Sequence, residues 1–378
     1  MKILVAPDSF KDSITSYEFC NLFEKVINKN WPEDNIVKIP LADGGEGTVD
    51  SLVHLTNGKF IKKLVKGPLG NEIIAKYGII QKNVAVIEMA SASGLQLIDK
   101  SKRNPMYTTT YGTGQLILDS INKGCKKIII GIGGSATNDG GLGIMQALGY
   151  RCLDQNNEEI KYGGKGLLEL KKIIKPKNID FENIEFQVAC DVNNPLYGEN
   201  GAAFTYASQK GASTKEIKKL DQGLKNLSEI FKRDLNKNIA NLKGAGAAGG
   251  LGAGLAAGLN AKLQSGFKII KNQINLDEKI DKSIDLIITG EGELNKQSLN
   301  GKLPIEVAKL GNKKDINTIL IVGKKSLSLK EVKKFGIIGI FSIIDKPTTL
   351  KYSINNTEKL LKEKILNIFS LIHSINID

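Results

Sequence analysis

Five short stretches of this chain place acids or amides among small residues, as chemistry on a charged substrate would require. They hold Asp8, Asp43 with Glu46, Asn138 with Asp139, Asp191 with Asn194, and Glu291 with Glu293 and Asn295. Lys11, Lys210 and Lys302 are interleaved with them, each beside small residues. Carboxylates can hold Mg²⁺ through its waters, while lysines and backbone N–H groups can take phosphate oxygens, so the combination suits phosphoryl transfer. No G-x-x-x-x-G-K-[ST] loop and no protein-kinase motif is present.

The elements that must carry these groups are strands, because each stretch follows a short apolar run. Ile128, Ile129 and Ile130 form a β-branched run suited to a strand buried on both faces. Gly131, Gly133 and Gly134 then allow a sharp turn before Ser135, Thr137, Asn138 and Asp139, and Asn138 or Asp139 is placed to cap a helix over Leu142–Leu148. Ile3–Ala6, Ile36–Leu41, Phe186–Cys190, Asp285–Thr289, Thr318–Val322 and Ile337–Ile343 read as further strands, alternating with helices in the βαβ manner. Ser16 is the expected cap of the first helix, and a closing helix is expected over Thr357–His373. Between them Phe60–Val65, Ile73–Ile80 and Val84–Glu88 are spaced for antiparallel hairpins. A helix is expected over Gln115–Asn122, and another from Ser208 to about Phe231. The 150–185 segment reads as a Gly- and Lys-rich connection with a short helical piece. The fold class is therefore α/β: a doubly wound, mainly parallel domain from both chain ends (1–65 and 270–378) and an inserted mixed α/β domain (66–269). Residues 105–148 are left open between the two.

Composition removes several function classes. The net charge of +13 would suit a nucleic-acid or membrane partner. Of the 53 basic residues, however, only Arg103, Arg151 and Arg233 are arginines, and the lysines are scattered rather than clustered, as a solvated surface would have them. No nucleic-acid or membrane partner is expected. Cys20, Cys125, Cys152 and Cys190 show no metal-type spacing, and with only His54 and His373 a His-based metal site or a Ser-His-Asp triad has no material. Neither a signal segment nor a membrane-spanning apolar stretch is seen, so a cytoplasmic protein, monomer or homodimer, is expected. Gly244–Gly249 matches G-x-G-x-x-G, but the residues before it are polar and no acid follows at the required place. It reads as a phosphate-facing nest or as close helix packing, leaving a nicotinamide oxidoreductase as a weaker alternative.

Several motifs recur in a fixed order. They are Ala6-Pro7-Asp8-Ser9-Phe10-Lys11, Ala42-Asp43-Gly44-Gly45-Glu46-Gly47-Thr48, Gly67-Pro68-Leu69-Gly70, Ile87-Glu88-Met89-Ala90 and Thr108-Thr109-Thr110-Tyr111-Gly112-Thr113-Gly114. Gly131 to Gly141, Ala189-Cys190-Asp191-Val192, Asn194-Pro195-Leu196, Gln209-Lys210-Gly211-Ala212, Gly246-Ala247-Ala248-Gly249-Gly250, Ile288-Thr289-Gly290-Glu291-Gly292 and Gly301-Lys302 complete the set. In these the chain resembles the type I bacterial glycerate kinases over nearly its whole length. The resemblance implies ATP-dependent phosphorylation of D-glycerate with Mg²⁺, in a site between two α/β domains.

Loops and resemblance together assign catalysis to Asp191, Asp43, Asp139 and Lys11. Substrate or cofactor binding falls to Ser9, Gly44, Gly45, Glu46, Thr48, Gly134, Ser135, Thr137, Asn138, Asn194, Lys210, Gly290, Glu291, Asn295 and Lys302, and Mg²⁺ to Asp191 and Glu291. Asp191, directly after its strand, is expected to be buried. Three positions depart from the family pattern: Asp12 replaces a Gly, Ser208 a Pro, and Asn295 the Asp of Gly-Glu-Gly-x-x-Asp. An Asn oxygen accepts a hydrogen bond but brings no charge. The alternatives are a kinase of another small hydroxy acid and a sensor that binds glycerate or nucleotide without turnover.

Overall fold

In the computed structural model, which describes residues 1–375, the β-branched runs form strands and the amphipathic segments form helices. In chain order the elements used below are β1 (Lys2–Val5), α1 (Ser16–Asn30), β2 (Asn35–Lys38), α2 (Thr48–Leu55), β3 (Lys59–Lys66), β4 (Glu72–Ile80) and β5 (Val84–Glu88). Next come α3 (Tyr111–Asn122), β6 (Lys127–Gly131), α4 (Leu142–Ala147), β7 (Glu185–Ala189), α5 (Thr214–Asp234), α6 (Ala247–Leu259) and β8 (Lys262–Gln264). The last are β9 (Leu286–Thr289), α7 (Leu303–Asn312), β10 (Asn317–Val322), β11 (Ile337–Ser342) and α8 (Thr357–Ile375). The chain forms two units, one of Met1–Asp43 with the segment from Ile270 and one of Gly44–Ile269. None of the described helices is long and apolar enough to cross a membrane.

The first unit is a five-stranded sheet in the order β11-β10-β9-β1-β2, with every neighbouring pair parallel. Ile3, Leu4, Ile287, Ile288, Leu320 and Ile321 are wholly buried, as strands covered on both faces require. One face packs on α1 and α8, where Phe23 and Phe369 meet edge to face at 5.3 Å, and the other on Ile305 and Ala308 of α7. Thr15, not Ser16, caps α1. Its hydroxyl accepts the Glu18 N–H and the Glu18 carboxylate accepts the Thr15 N–H, a reciprocal box that needs the acid three residues on. Strand order reverses at β1, which has β2 on one side and β9 on the other. The loops after β1 and β9 therefore leave the sheet at a switch point, where ligands of open α/β sheets bind.

The second unit is a six-stranded sheet in the order β8-β7-β6-β5-β4-β3. β5 to β8 are parallel, while β3, β4 and β5 are antiparallel neighbours, as the spacing of residues 60–88 predicts. Residues 44–65 belong here rather than with the chain ends. β3 is paired along its whole length with β4, from Lys59–Ile79 to Lys66–Glu72, and that ladder outweighs the βαβ texture before it. The expected connection over 150–185 contains a short antiparallel pair, Arg151–Leu153 with Lys172–Ile174. α3 starts at Tyr111 rather than Gln115, so Gly112 and Gly114 lie inside it, tertiary packing overriding their poor helix propensity. The helix expected from Ser208 is divided at Gly211, which is left-handed at φ +96°. Residues 208–210 make one tight turn, and Ser213 with Glu216 caps α5. Ala207 caps that turn, so Ser208 occupies its first position, where Pro is also well suited.

Candidate active site

In the first unit the switch-point loops bring Asp8, Asp43, Glu291 and Lys302 within electrostatic reach of one another. Asp8 follows β1, and its backbone N–H donates to the Gly290 carbonyl after β9 at 2.9 Å, which ties the two loops together. The Asp8 carboxylate accepts the Ser9 N–H at 2.7 Å. Burial, with Asp43 and Glu291 nearby, pushes Asp8 well above the usual carboxylate range against the pull of Ser9 and Lys302. Burial likewise raises Glu291, although Lys302 Nζ lies 3.2 Å from its Oε2. Glu291 Oε1 is buried with no hydrogen-bond partner.

Two other first-unit residues are placed differently. Lys11 is exposed on the loop after β1, and Asp12 beside it is left-handed at φ +61°. That backbone explains the family's Gly here, and Asp is among the few residues that tolerate it. Asn295 caps a short helical turn, its Oδ1 accepting the Gln297 N–H at 2.9 Å and its own N–H donating to Ser298 Oγ at 3.1 Å.

In the second unit the loop after β6 is the centre. Lys210, carried in by the tight turn before α5, is buried and donates from Nζ to Ser135 Oγ and to the Thr137 carbonyl, both at 2.7 Å. Burial lowers its pKa to about 7, with Asp139 acting the other way. Asp139 Oδ2 accepts the N–H and hydroxyl of Thr110 at 2.7 and 2.8 Å and the Gly143 N–H at 3.4 Å, and its Oδ1 accepts the Gly141 N–H at 3.2 Å. Burial raises Asp139, and these four donors oppose the rise. Gly141 occupies the cap position of α4 and has no side chain to offer, so Asp139 serves the first turn from two residues before it. Thr137 Oγ1 and both ends of the Asn138 amide are buried without a hydrogen-bond partner. Such groups are costly in a fold unless a ligand or water uses them.

The Gly244–Gly249 stretch serves this loop by packing. Ala248, Gly249 and Gly250 are all left-handed where α6 begins, and a Cβ on Gly249 would lie 2.0 Å from the Thr137 carbonyl oxygen. Gly140 N–H donates to the Gly249 carbonyl at 3.1 Å.

Asp191 stands beyond the end of β7 and is exposed, not buried as expected. The strand stops at Ala189, and two residues of loop carry the carboxylate out of the sheet. Its Oδ1 accepts the Gly266 N–H at 3.3 Å. Asn194 is held locally, accepting from Tyr206 and donating to the Asn200 carbonyl and Thr205. Thr48 Oγ1 donates to the Gly45 carbonyl at 2.8 Å, Gly44 is buried, and Glu46 is exposed. Gly134 is left-handed at φ +72°, and its carbonyl accepts the Leu95 N–H. Thus Ser135, Thr137, Asn138, Asp139 and Lys210 form one cluster and Asp43, Glu291 and Lys302 another; Asn295 is linked to Glu291 only through Ser298, the Lys11 side chain is exposed, and Asn194 is held by its own loop.

Asp8 and Thr110 are residues to which the sequence assigned no role in the site. Asp8 shows as one loop acid among several, and Thr110 sits inside a Thr-Thr-Thr run whose partner is 29 positions away. The two residues expected to hold Mg²⁺, Asp191 and Glu291, fall in different units. Among the described residues no group of three or more His, Cys, Asp or Glu is arranged to hold a metal ion by itself.

Residues 3–373 match the model of the glycerate kinase family. The glycerate kinase of Halalkalibacterium halodurans is 45% identical over 97% of each chain. The glycerate 2-kinase of Escherichia coli is 44% identical over 93% of this chain and 92% of its own. In three dimensions the chain is similar to a glycerate kinase 2 from Salmonella typhimurium LT2, with a TM-score of 0.87 and 39% identity over 99% and 98% of the two chains.

Proposed function

The chain belongs to the glycerate kinase family, and from that premise we propose that it transfers the γ-phosphoryl group of ATP to the C2 hydroxyl of D-glycerate, using Mg²⁺. Phosphorylation of glycerate is the family's reaction; the nucleotide, the metal, the stereochemistry and the position belong to the proposal. The observation that carries it is the acid set Asp8, Asp43 and Glu291 around Lys302 at the switch point of the first unit. Oxygen donors of this kind suit a hard divalent cation, which commonly keeps several waters and binds through one or two carboxylates plus substrate phosphates. The raised pKa of Asp8 and Glu291 and the unpartnered Glu291 Oε1 mark charge that a cation would relieve. One or two of Asp8, Asp43 and Glu291, together with substrate phosphates, would hold Mg²⁺, which when bound would neutralise charge on the transferred phosphoryl group.

The exposed carboxylate of Asp191 would take the proton from the attacking hydroxyl. Lys210, with Ser135, Thr137 and Asn138, would bind the anionic end of glycerate. The C2 position follows the E. coli relative, a glycerate 2-kinase 44% identical to this chain.

The test is ADP release followed with a coupled assay, with the product isomer then identified by NMR. ADP should form only when D-glycerate and Mg²⁺ are both present, and the product should be 2-phosphoglycerate. Equal ADP release without glycerate would overturn the reading, and 3-phosphoglycerate would overturn its positional part.

A further inference from the structure

Glu88 lies at the end of β5, largely buried, in a position the phosphoryl-transfer reading leaves unused. Its Oε1 accepts the Val49 N–H at 2.8 Å. That N–H belongs to the first turn of α2, whose cap residue is Gly47, left-handed at φ +89° and without a side chain to satisfy it. Glu88 therefore supplies from a neighbouring strand the acceptor that α2 lacks at its own cap position.

The turn so held leads back directly into the Gly44–Gly47 loop. Thr48 Oγ1 donates to the Gly45 carbonyl at 2.8 Å, which ties helix to loop. The loop rests on strand ends that admit no side chain. A Cβ on Gly131, which pairs with Glu88 across the β5–β6 ladder, would lie 2.4 Å from the Gly44 carbonyl oxygen. A Cβ on Gly44 would lie 2.3 Å from Ala189 Cβ and 3.2 Å from Gly266 Cα. Gly266 is the residue whose N–H donates to Asp191. A continuous set of contacts thus runs from Glu88 through α2 and the glycine loop to the backbone that orients Asp191.

We propose that Glu88 is a positioning residue: by capping α2 it fixes the Gly44–Gly47 loop on the ends of β6 and β7 and so keeps Asp191 in its working place. The charged groups that face it are Glu46 in the loop, Asp50 on α2 and Lys76 on β4. Burial foremost, with Asp50 and Glu46, pushes its pKa up to about 7. Its role does not depend on the charge, because a neutral carboxyl keeps an oxygen that accepts the Val49 N–H.

The inference rests on the proposed kinase reaction, and two variants of the full chain, Glu88→Gln and Glu88→Leu, with two readouts separate the two claims. Gln retains an acceptor oxygen, and Leu does not. Glu88→Leu should lower kcat with D-glycerate by about tenfold or more and speed amide hydrogen exchange at Val49–Ser51, while Glu88→Gln stays within about threefold of the parent in both. A folded Glu88→Leu protein with unchanged kcat, or Glu88→Gln as impaired as Glu88→Leu, overturns the positioning role. Should the parent protein show no glycerate-dependent turnover, the kinase reading fails. Exchange at Val49–Ser51 then decides the cap by itself: unchanged exchange in Glu88→Leu overturns it, and faster exchange restored by Gln upholds it.

Discussion

The two clusters use the same residue types to opposite ends. In the first unit Lys302 pulls on Asp8 and Glu291, yet burial and the nearby Asp43 raise both. In the second unit Asp139 is more deeply buried, yet four donors surround it, and Lys210 is spent on a hydroxyl and a carbonyl. In one set burial and like charge raise two carboxyls; the other is prebuilt, with Thr137 Oγ1 and the Asn138 amide still unpartnered. The difference teaches that burial alone does not tell a binding carboxylate from a scaffolding one. What surrounds the oxygens does.

The sharpest way to break this contrast is kinetic. Asp191→Asn should cost about 10²-fold or more in kcat while leaving the melting temperature near the parent value, because the side chain is exposed and Asn keeps an oxygen for the Gly266 N–H. A folded variant within about threefold of the parent would move the proton acceptor elsewhere.

Stability should separate Asp139 from Asp8. Asp139→Asn removes an acceptor from a site where four donors converge, and should destabilise by about 1–3 kcal/mol in urea unfolding. Asp8→Asn should do the reverse. Because the folded pKa of Asp8 is raised, its share of stability is greatest below the unfolded value of about 3.9 and is lost as pH rises through the folded value. The Asn variant, which does not titrate, should therefore gain on the parent as pH rises above about 4. Losses of equal size in both variants would erase the distinction between the clusters.

Lys210→Met tests the second unit further. With a folded pKa of about 7, lowered from that of a free lysine, the parent becomes more stable as pH rises from 7 toward 10, the unfolded chain binding the proton more tightly. The stability of Lys210→Met relative to the parent should be highest near pH 6 and fall steadily above 7, as unfolding at several pH values will read. A pH-independent difference would mean that Lys210 is not held in this way. Its KM for D-glycerate should rise markedly, whereas Lys62→Ala, on the exposed edge strand β3, should leave KM unchanged.

The smallest effect is expected at Asn295. Because the side chain caps its own turn, Asn295→Asp should change kcat by less than about threefold, Asp being an equally good cap. A tenfold gain with stronger Mg²⁺ dependence would draw this position into the first cluster.

Much of this was legible in the chain, and the reason is local. Ile128–Ile130, the hairpin spacing of 60–88 and the acids after β1, β6, β7 and β9 can be read directly, because strand faces and tight turns are decided by neighbouring residues. The order of motifs carried the family. What the sequence could not rank were residues whose role depends on partners far along the chain. Asp8 gains its raised pKa from Asp43 and Glu291, and Asp139 its donors from Thr110, 29 positions away. Glu88 caps a helix 39 positions before it.

By itself, then, the sequence determined the α/β class, the switch-point loops and the kinase family, because periodicity and motif order are local and cumulative. The tertiary structure decided that residues 44–65 join the middle unit, that Asp191 is exposed, that Asn295 is a cap and that the Gly244–Gly249 glycines serve packing. Each of these turns on burial and on donors brought in across long chain separations, quantities that exist only once the sheets have formed.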